Sequence, residues 1–132
     1  MIVLDASAAL DWLLQTPAGR RIEERIFSGK ESLHAPDIID VEVVRSLRHL
    51  EHARKLSPGR LDEAFEDWMD LRLTRYPLDV FLPDIWQLRY RSSLREAAYL
   101  VLTRRLGATL LTRDRYFATG YGVVSGIKVE VF

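Results

Sequence analysis

Apolar residues along this chain follow two patterns, short runs and longer segments in which they recur every three or four positions. Short, mostly apolar runs are too brief for helices and predict strands buried in a parallel sheet. They lie at residues 2–4, 32–35, 108–112 and 127–132. The helical periodicity predicts helices at residues 8–14, 18–27, 36 to about 56, 58 to about 71, 82–88 and 93–106.

Helix caps and helix breakers mark several of these boundaries. Ser57 followed by Pro58 is a specific start signal, because Ser caps a helix and Pro suits its first position. Gly107 is the natural stop of the helix that precedes it. Pro77 argues against helix, so residues 74–81 are predicted to be an extended crossing. A loop with three glycines precedes the last strand: Gly120, Gly122 and Gly126.

Helices that alternate with short apolar strands predict an α/β fold in three layers, α/β/α, around a central parallel sheet. With 132 residues the chain is long enough to bury about two thirds of its unfolded surface without disulfides or metals. No internal repeat, linker or low-complexity segment divides it. We therefore expect a single domain over residues 1–132.

Composition and charge exclude several kinds of site. The chain has no Cys, which rules out disulfides, thiolate zinc sites and a cysteine nucleophile. Its 19 basic and 19 acidic residues balance to zero, so no overall basic field attracts nucleic acid. Sixteen of the basic residues are Arg, the better bidentate ligand for phosphate, although codon bias is the simpler explanation for most of them.

Hydropathy argues against membrane attachment. The longest unbroken apolar run, residues 97–102, is far too short to span a bilayer. The N-terminus lacks the basic flank that is typical of a signal peptide. We therefore expect a soluble, cytoplasmic protein.

Two acidic residues follow predicted strands. Asp5 comes directly after the first strand, and Asp114 comes two residues after the strand that ends at Thr112. Ligand sites in α/β sheets lie at the carboxyl ends of the strands, so both acids are candidates for catalysis. The alternative for the first is structural, because Asp5 or Ser7 could cap the first helix. The boundary pattern alone leaves both interpretations open.

Two further acids, Glu42 and Glu96, lie in the early part of otherwise apolar helices. Carboxylates that converge in a cleft repel one another, and such a cluster normally requires a hard cation such as Mg²⁺ or Mn²⁺. A metal held there activates water and neutralises phosphate charge, which suits phosphodiester hydrolysis. Each acid also has a structural explanation, since Glu96, three residues after Ser93, could form a capping box with it and Glu42 could be a solvated edge residue.

Five short motifs are spaced along the chain. They are Val-Leu-Asp-Ala-Ser-Ala at 3–8, Ala-Pro-Asp at 35–37 with Val-Glu-Val at 41–43, Ala-Ala-Tyr-Leu at 97–100, and Leu-Leu-Thr-Arg-Asp at 110–114. In this order and spacing, the chain resembles the PIN-domain ribonucleases, most of all the VapC toxins of bacterial toxin–antitoxin pairs. The resemblance runs from the first residue to the last. It implies a compact α/β/α nuclease whose acidic side chains hold Mg²⁺ or Mn²⁺.

The resemblance carries roles to individual positions. It implies an acidic cluster of Asp5, Glu42 and Asp114, with supporting hydroxyls from Ser7 and Thr112. One position departs from the family, which usually has Asp where this chain has Glu96. The longer side chain keeps the charge, and it could bind the metal directly, act through water or stay in its capping box. We expect activity to survive this change.

Two arginines are weaker candidates for binding substrate. Arg45, where relatives often carry Asn, lies about one helical turn from Glu42 and could pair with it or contact RNA phosphate. Arg113 could contact phosphate or remain solvated beside Asp114. The aromatic residues on apolar stripes are predicted to belong to the core or a dimer interface rather than to stack on bases: Trp68, Trp86 and Tyr99.

The resemblance implies an endoribonuclease that cleaves structured RNA such as tRNA or rRNA, forms a homodimer and is blocked by a small antitoxin protein. The alternative is a binding protein that keeps the fold and the antitoxin contact but whose catalysis is impaired through Glu96. A phosphoaspartyl enzyme that uses Asp5 fits less well, because Ser7 stands where such phosphatases need a second acid.

Overall fold

The computed structural model describes residues 1–119 and 126–132, which form five strands and seven α-helices. The strands are β1 (Ile2–Leu4), β2 (Leu33–Pro36), β3 (Leu73–Tyr76), β4 (Thr109–Thr112) and β5 (Lys128–Val131). The helices are α1 (Ala6–Leu13), α2 (Pro17–Phe27), α3 (Ile38–His52), α4 (Pro58–Asp70), α5 (Leu82–Gln87), α6 (Leu94–Leu106) and α7 (Tyr116–Thr119).

All five strands lie parallel in one sheet, in the order β3-β2-β1-β4-β5. Val3 stands opposite His34 in β2 and Leu110 in β4, so β1 is the central strand. Parallel strands are joined by right-handed crossovers. The helices α1 to α4 therefore cover one face, and α5 to α7 cover the other. The predicted three-layer α/β/α architecture is confirmed.

Local capping fixes several helix ends. Ser57 Oγ accepts a hydrogen bond from the backbone N–H of Arg60 at 3.3 Å, as its position before Pro58 predicts. Gly107 ends α6 in the left-handed conformation, with φ of +59°, which glycine adopts without steric strain. Helix α1 begins two residues earlier than predicted, because the Asp5 side chain caps it.

The predicted extended crossing at residues 74–81 is only half correct. Its first part belongs to β3 at the edge of the sheet, but residues Leu78–Phe81 form a short 3-10 helix. Pro77 divides the two, because it has no N–H to continue the ladder. Helix α7 was not predicted, and α3 ends at His52 instead of near residue 56. Gly120 and Gly122 of the predicted loop lie outside the described residues.

The core occupies both faces of the sheet, where β1 is fully buried. Trp68 and Tyr99 are 1% and 0% exposed, which confirms that they are core residues. Trp86 is 59% exposed, so it does not belong to the core and the dimer-interface interpretation remains. Among the described residues, no helix combines the length and apolar character needed to cross a membrane.

Candidate active site

The carboxyl end of β1 holds Asp5 in a fully buried position. Its Oδ1 accepts from Ser7 Oγ at 2.5 Å and from the backbone N–H groups of Ser7 and Ala8 at 2.6 and 3.0 Å. Its Oδ2 accepts from Thr112 Oγ1 at 2.7 Å. The bonds from Ser7 and Ala8 cap α1. The structural interpretation of Asp5 is therefore confirmed, and the same contacts fix its carboxylate at the strand end, where its catalytic role stays a prediction.

Ser7 and Thr112 connect the ends of the two neighbouring strands β1 and β4. Ser7 Oγ accepts from the backbone N–H of Arg113 at 3.0 Å, and Thr112 Oγ1 accepts from that of Asp114 at 2.9 Å. The chain leaves β1 towards one edge of the sheet and returns through β4 towards the other. Such a reversal of strand order opens a crevice at the carboxyl ends, where α/β proteins bind ligands.

The electrostatic state of Asp5 reflects this burial. Removal from water raises the pKa of its carboxyl above the ordinary value of 3.8, while the hydrogen bonds from Ser7, Thr112 and Ala8 act in the opposite direction. Burial disfavours the charged form of any acid unless a cation lies nearby. A positive charge in this crevice would therefore stabilise the ionised form of Asp5.

Asp114 lies on the other side of the same strand junction. Its Oδ1 accepts from the backbone N–H of Tyr116 at 2.9 Å, which turns the chain into α7. Tyr116 OH in turn donates to the carbonyl of Arg91 at 2.8 Å, so this turn contacts the segment that leads into α6. The half-buried carboxylate of Asp114 is thus oriented through Oδ1 by the start of α7.

Glu42 is held by two side chains of α6. Arg95 Nη1 donates to its Oε1 at 2.9 Å, and Tyr99 OH donates to its Oε2 at 2.5 Å. The Glu42 side chain is only 16% exposed, so it is not a freely solvated edge residue. The pKa of Tyr99 is raised strongly, first by burial, then by the charge of Glu42 and the hydrogen bond to it, and further by the charge of Asp5. Tyr99 therefore stays protonated and serves as a donor.

Glu96 takes part in the predicted capping box. Its Oε2 accepts from the backbone N–H of Ser93 at 3.0 Å, while Ser93 Oγ accepts from the N–H of Glu96 at 3.1 Å. Of the three possibilities that the sequence left open, this structure shows the capping box. A role for Glu96 as a metal ligand would have to use its other oxygen, Oε1, or break the bond from Ser93 to Oε2.

Neither candidate substrate-binding arginine contacts the acids of the site. Arg45 is exposed and, within residues 1–119 and 126–132, it forms no ion pair with Glu42, so its predicted contact with phosphate remains untested. Arg113 pairs with Asp11 at 2.5 Å and donates to the carbonyl of Phe132. These contacts give Arg113 a structural role between α1 and the end of β5.

Sequence reasoning missed Arg95 and the polar role of Tyr99. Both lie on α6, one helical turn apart, so their side chains project to the same side of the helix. Their donors meet the two oxygens of Glu42. The signal in the sequence was a pair of hydrogen-bond donors, Arg95 and Tyr99, four positions apart at the motif of residues 97–100. Helical periodicity alone placed Tyr99 in the core and gave its hydroxyl no role.

The acids of the site do not form a compact cage in this conformation. In the part of the chain that the structure describes, no three acidic or histidine side chains converge closely enough to hold a metal ion. Two of the acids bind other groups of the protein: Glu42 accepts a hydrogen bond from Arg95 on α6, and Glu96 accepts one from the backbone of Ser93. The donor set nevertheless consists of carboxylate and hydroxyl oxygens, the ligands that Mg²⁺ and Mn²⁺ prefer.

The sequence matches a known family and is similar to several named ribonucleases. The family model for the PIN domain matches residues 2–122. Ribonuclease VapC12 of Mycobacterium tuberculosis is 35% identical over 92% of this chain and 93% of its own length, and Ribonuclease VapC9 is 35% identical over 86% of each. Ribonuclease VapC3 of the same organism is 32% identical over 91% of this chain and 87% of its own length.

A solved structure agrees on the fold. FitAcB from Neisseria gonorrhoeae superposes with a TM-score of 0.65 at 15% identity, covering 98% of this chain and 96% of the other. Identity this low bears on architecture alone. The family model and the curated relatives each extend over most of the sequence. The chain therefore belongs to the PIN domain family, and it is similar to the VapC ribonucleases of that family.

Proposed function

We propose that this protein is a metal-dependent endoribonuclease of the VapC type. The observation that carries the proposal is the buried carboxylate of Asp5 at the switch point between β1 and β4, fixed by Ser7 and Thr112. It occurs in a chain similar to several proteins named as ribonucleases. A fold supports many functions, so the proposal rests on this site together with that similarity.

The proposed metal ligands are Asp5, Glu42, Asp114 and Glu96, with Mg²⁺ or Mn²⁺ as the cation. When bound, the ion would supply an activated water and neutralise charge on the scissile phosphate. Ser7 and Thr112 hold the Asp5 carboxylate in one orientation, and Arg95 and Tyr99 do the same for Glu42. Groups that orient the ligands in this way tune affinity and activity.

The RNA substrate is supported by the local distribution of charge. Although the chain is neutral as a whole, residues 85–115 contain seven arginines and two acids, a formal charge of +5. Ion pairs with acids outside this segment offset three of these charges: Arg95–Glu42, Arg105–Asp84 and Arg113–Asp11. This segment includes Glu96 and Asp114 and continues to α7. A basic region beside the site would attract phosphates and steer RNA towards it. We propose structured RNA such as tRNA or rRNA as the substrate, with exposed Arg45 as a phosphate contact.

The proposed protein partners are an antitoxin and a second copy of the chain. The similarity to VapC ribonucleases supports the antitoxin, which would inhibit cleavage by blocking the crevice. Exposed apolar side chains support the homodimer. Val80, Leu82, Trp86 and Leu94 are 53 to 64% exposed, and they lie on the 3-10 helix, α5 and the start of α6, which pack against one another.

Cleavage of total RNA by the purified protein tests the activity. We expect cleavage with Mg²⁺ or Mn²⁺, none with EDTA, and none for Asp5→Asn. Asp84→Asn is the matched control, because Asp84 pairs with Arg105 on α6 outside the site and its loss should leave cleavage intact. Cleavage that persists in EDTA would contradict metal dependence, and cleavage by Asp5→Asn would contradict the role of Asp5.

A second candidate function is a PIN-domain binding protein with impaired catalysis. The capping box favours it, since the Glu96 carboxylate is turned towards the backbone of Ser93. Glu96→Asp distinguishes the two functions. A wild type that cleaves supports the nuclease, whereas an inert wild type beside an active Glu96→Asp variant supports the binding protein.

A further inference from the structure

Arg95 contributes a positive charge to the acidic site from within the chain. Its guanidinium pairs with Glu42 at 2.9 Å, and its side chain is 40% exposed, against 16% for Glu42. Tyr99 takes the other carboxylate oxygen. Both oxygens of Glu42 are therefore engaged by α6 in this conformation. A carboxylate held in this way offers fewer lone pairs to any other ligand.

The charge of Arg95 also acts on Asp5. The positive guanidinium is attracted to the carboxylates of both Glu42 and Asp5. The guanidinium remains charged in any case. Without it, the carboxylates of Asp5 and Glu42 would repel each other in a partly buried crevice. Arg95 thus neutralises part of the charge that would otherwise destabilise the metal-free protein.

We propose that Arg95 is an internal counter-cation of this site, which holds Glu42 in the metal-free protein and competes with a divalent cation for it. The inference rests on the proposed function, because it assumes that Glu42 is a metal ligand. Two cations a few ångströms apart repel, so binding of Mg²⁺ or Mn²⁺ requires Arg95 to release Glu42. By linkage, the ion pair that stabilises the metal-free state weakens metal binding.

Titration calorimetry with Mn²⁺ and Mg²⁺ on the purified protein tests the competition. Arg95→Gln should bind Mn²⁺ about threefold to tenfold more tightly than wild type, a range consistent with a partly exposed, charge-assisted pair. Arg95→Lys keeps the positive charge, so its Mn²⁺ affinity should stay close to that of wild type. Arg105→Gln is the matched control, because Arg105 lies on the same helix and pairs with an acid outside the site, Asp84.

Several outcomes would overturn the inference. One is an unchanged or weaker Mn²⁺ affinity in Arg95→Gln. Another is an equal gain of Mn²⁺ affinity in Arg105→Gln, which would reflect net charge alone. A third is weaker RNA binding in Arg95→Gln without a change in metal affinity. The last would identify Arg95 as a phosphate ligand. A purely structural role would lower the thermal stability of the variant but would not tighten metal binding.

A measurement on wild type keeps the test valid if Arg95→Gln does not fold. The Nε–H signal of Arg95 in nuclear magnetic resonance spectra should shift, and its solvent exchange should accelerate, as Mg²⁺ is added. An unchanged signal at saturating Mg²⁺ would overturn the inference. If wild type and Arg95→Gln both fail to bind Mn²⁺, the proposed metal dependence also fails, whereas metal-dependent cleavage with no effect of Arg95 contradicts this inference alone.

Discussion

At the scale of single residues, Glu42 shows how a catalytic candidate is fixed by distant partners. The residues that hold it, Arg95 and Tyr99, lie 53 and 57 positions further along the chain. Tyr99 is fully buried, so its hydroxyl needs a partner inside the protein, and Glu42 provides one. A single hydrogen bond thus serves both the packing of α6 and the orientation of the site.

Tyr99→Phe should therefore affect stability and activity together. Loss of the hydroxyl removes a donor to a mostly buried carboxylate, and we expect the free energy of unfolding to fall by about 1 kcal/mol. Cleavage of RNA should fall about tenfold, because the orientation of Glu42 is relaxed. Urea denaturation and cleavage rates measure the two effects.

Tyr76→Phe is the control for this prediction. Tyr76 OH contacts His34 Nδ1 at 3.0 Å in the sheet, so the same deletion should lower stability and leave cleavage unchanged. An activity loss of equal size in both variants would show that Tyr99 acts through general stability alone.

At the scale of elements, the contact between α1 and α2 depends on a glycine. A Cβ added to Gly19 would lie 1.9 Å from the carbonyl oxygen of Asp11, at the end of α1. That oxygen belongs to the backbone and cannot move aside like a flexible side chain. Because the Asp5 side chain caps the start of α1, displacement of α1 would also disturb the support of the site.

Gly19→Ala should destabilise the protein by about 1 to 3 kcal/mol, the usual effect of overpacking. Gly59→Ala is the matched control. Gly59 lies in α4 with no atom within 4 Å of an added Cβ, so the same substitution should stabilise by about 0.4 to 1 kcal/mol. Chemical denaturation of both variants measures the difference, and effects of the same sign would contradict the argument.

The sheet contains a buried histidine whose ionisation should make stability depend on pH. His34 in β2 is 7% exposed and contacts Ser32 Oγ and Tyr76 OH. Burial, and secondarily the positive N-terminus, lowers its pKa below 6.5. As pH falls below 6.5, the unfolded chain takes up a proton that the folded protein excludes. The contribution of His34 to stability is therefore present above pH 6.5 and is lost as pH falls towards its folded pKa.

Wild type should lose more stability than His34→Gln when the pH is lowered from above 6.5 to about 5.5. The difference in slope should not exceed about 1.4 kcal/mol per pH unit for one group. His49 and His52 are exposed and present in both proteins, so their effects cancel. Denaturant unfolding across this range measures the slopes, and parallel pH profiles would refute the prediction.

At the scale of the whole molecule, a neutral chain presents charge and apolar surface unevenly. The arginine-rich segment 85–115 begins with Ile85 and Trp86, so its basic part adjoins the exposed apolar residues of α5. A homodimer that covers these apolar residues would bring two basic segments into one assembly. This arrangement would extend the electrostatic surface available to RNA.

Trp86→Glu should weaken the proposed homodimer, because a charge at a buried interface position is costly to desolvate. Sedimentation equilibrium measures the monomer–dimer constant. Met69→Glu is the control, since Met69 on α4 is 62% exposed, close to the 59% of Trp86, but lies away from α5. A monomeric wild type, or a dimer equally weakened by both changes, would contradict the assignment of this surface.

The sequence by itself determined most of the elements and the strand-end position of Asp5. Short apolar runs and specific caps are local signals, and they identified β1, the start of α4 at Ser57 and the stop of α6 at Gly107. The resemblance to PIN-domain ribonucleases, now confirmed as family membership, also came from local motifs. Local signals were weakest around Pro77. A proline there is compatible with an extended chain or with the start of a 3-10 helix, and the structure has a strand before it and a 3-10 helix after it.

Only the tertiary structure decided how the polar side chains pair. Three contacts link residues far apart in sequence. Ser7 contacts Thr112 between the ends of β1 and β4, Arg95 of α6 binds Glu42, and Arg113 pairs with Asp11 of α1. Such pairs depend on strand order and helix packing, which periodicity does not encode. For this reason the sequence predicted which acids belong to the candidate site, but only the fold determined which residues form hydrogen bonds with each of them.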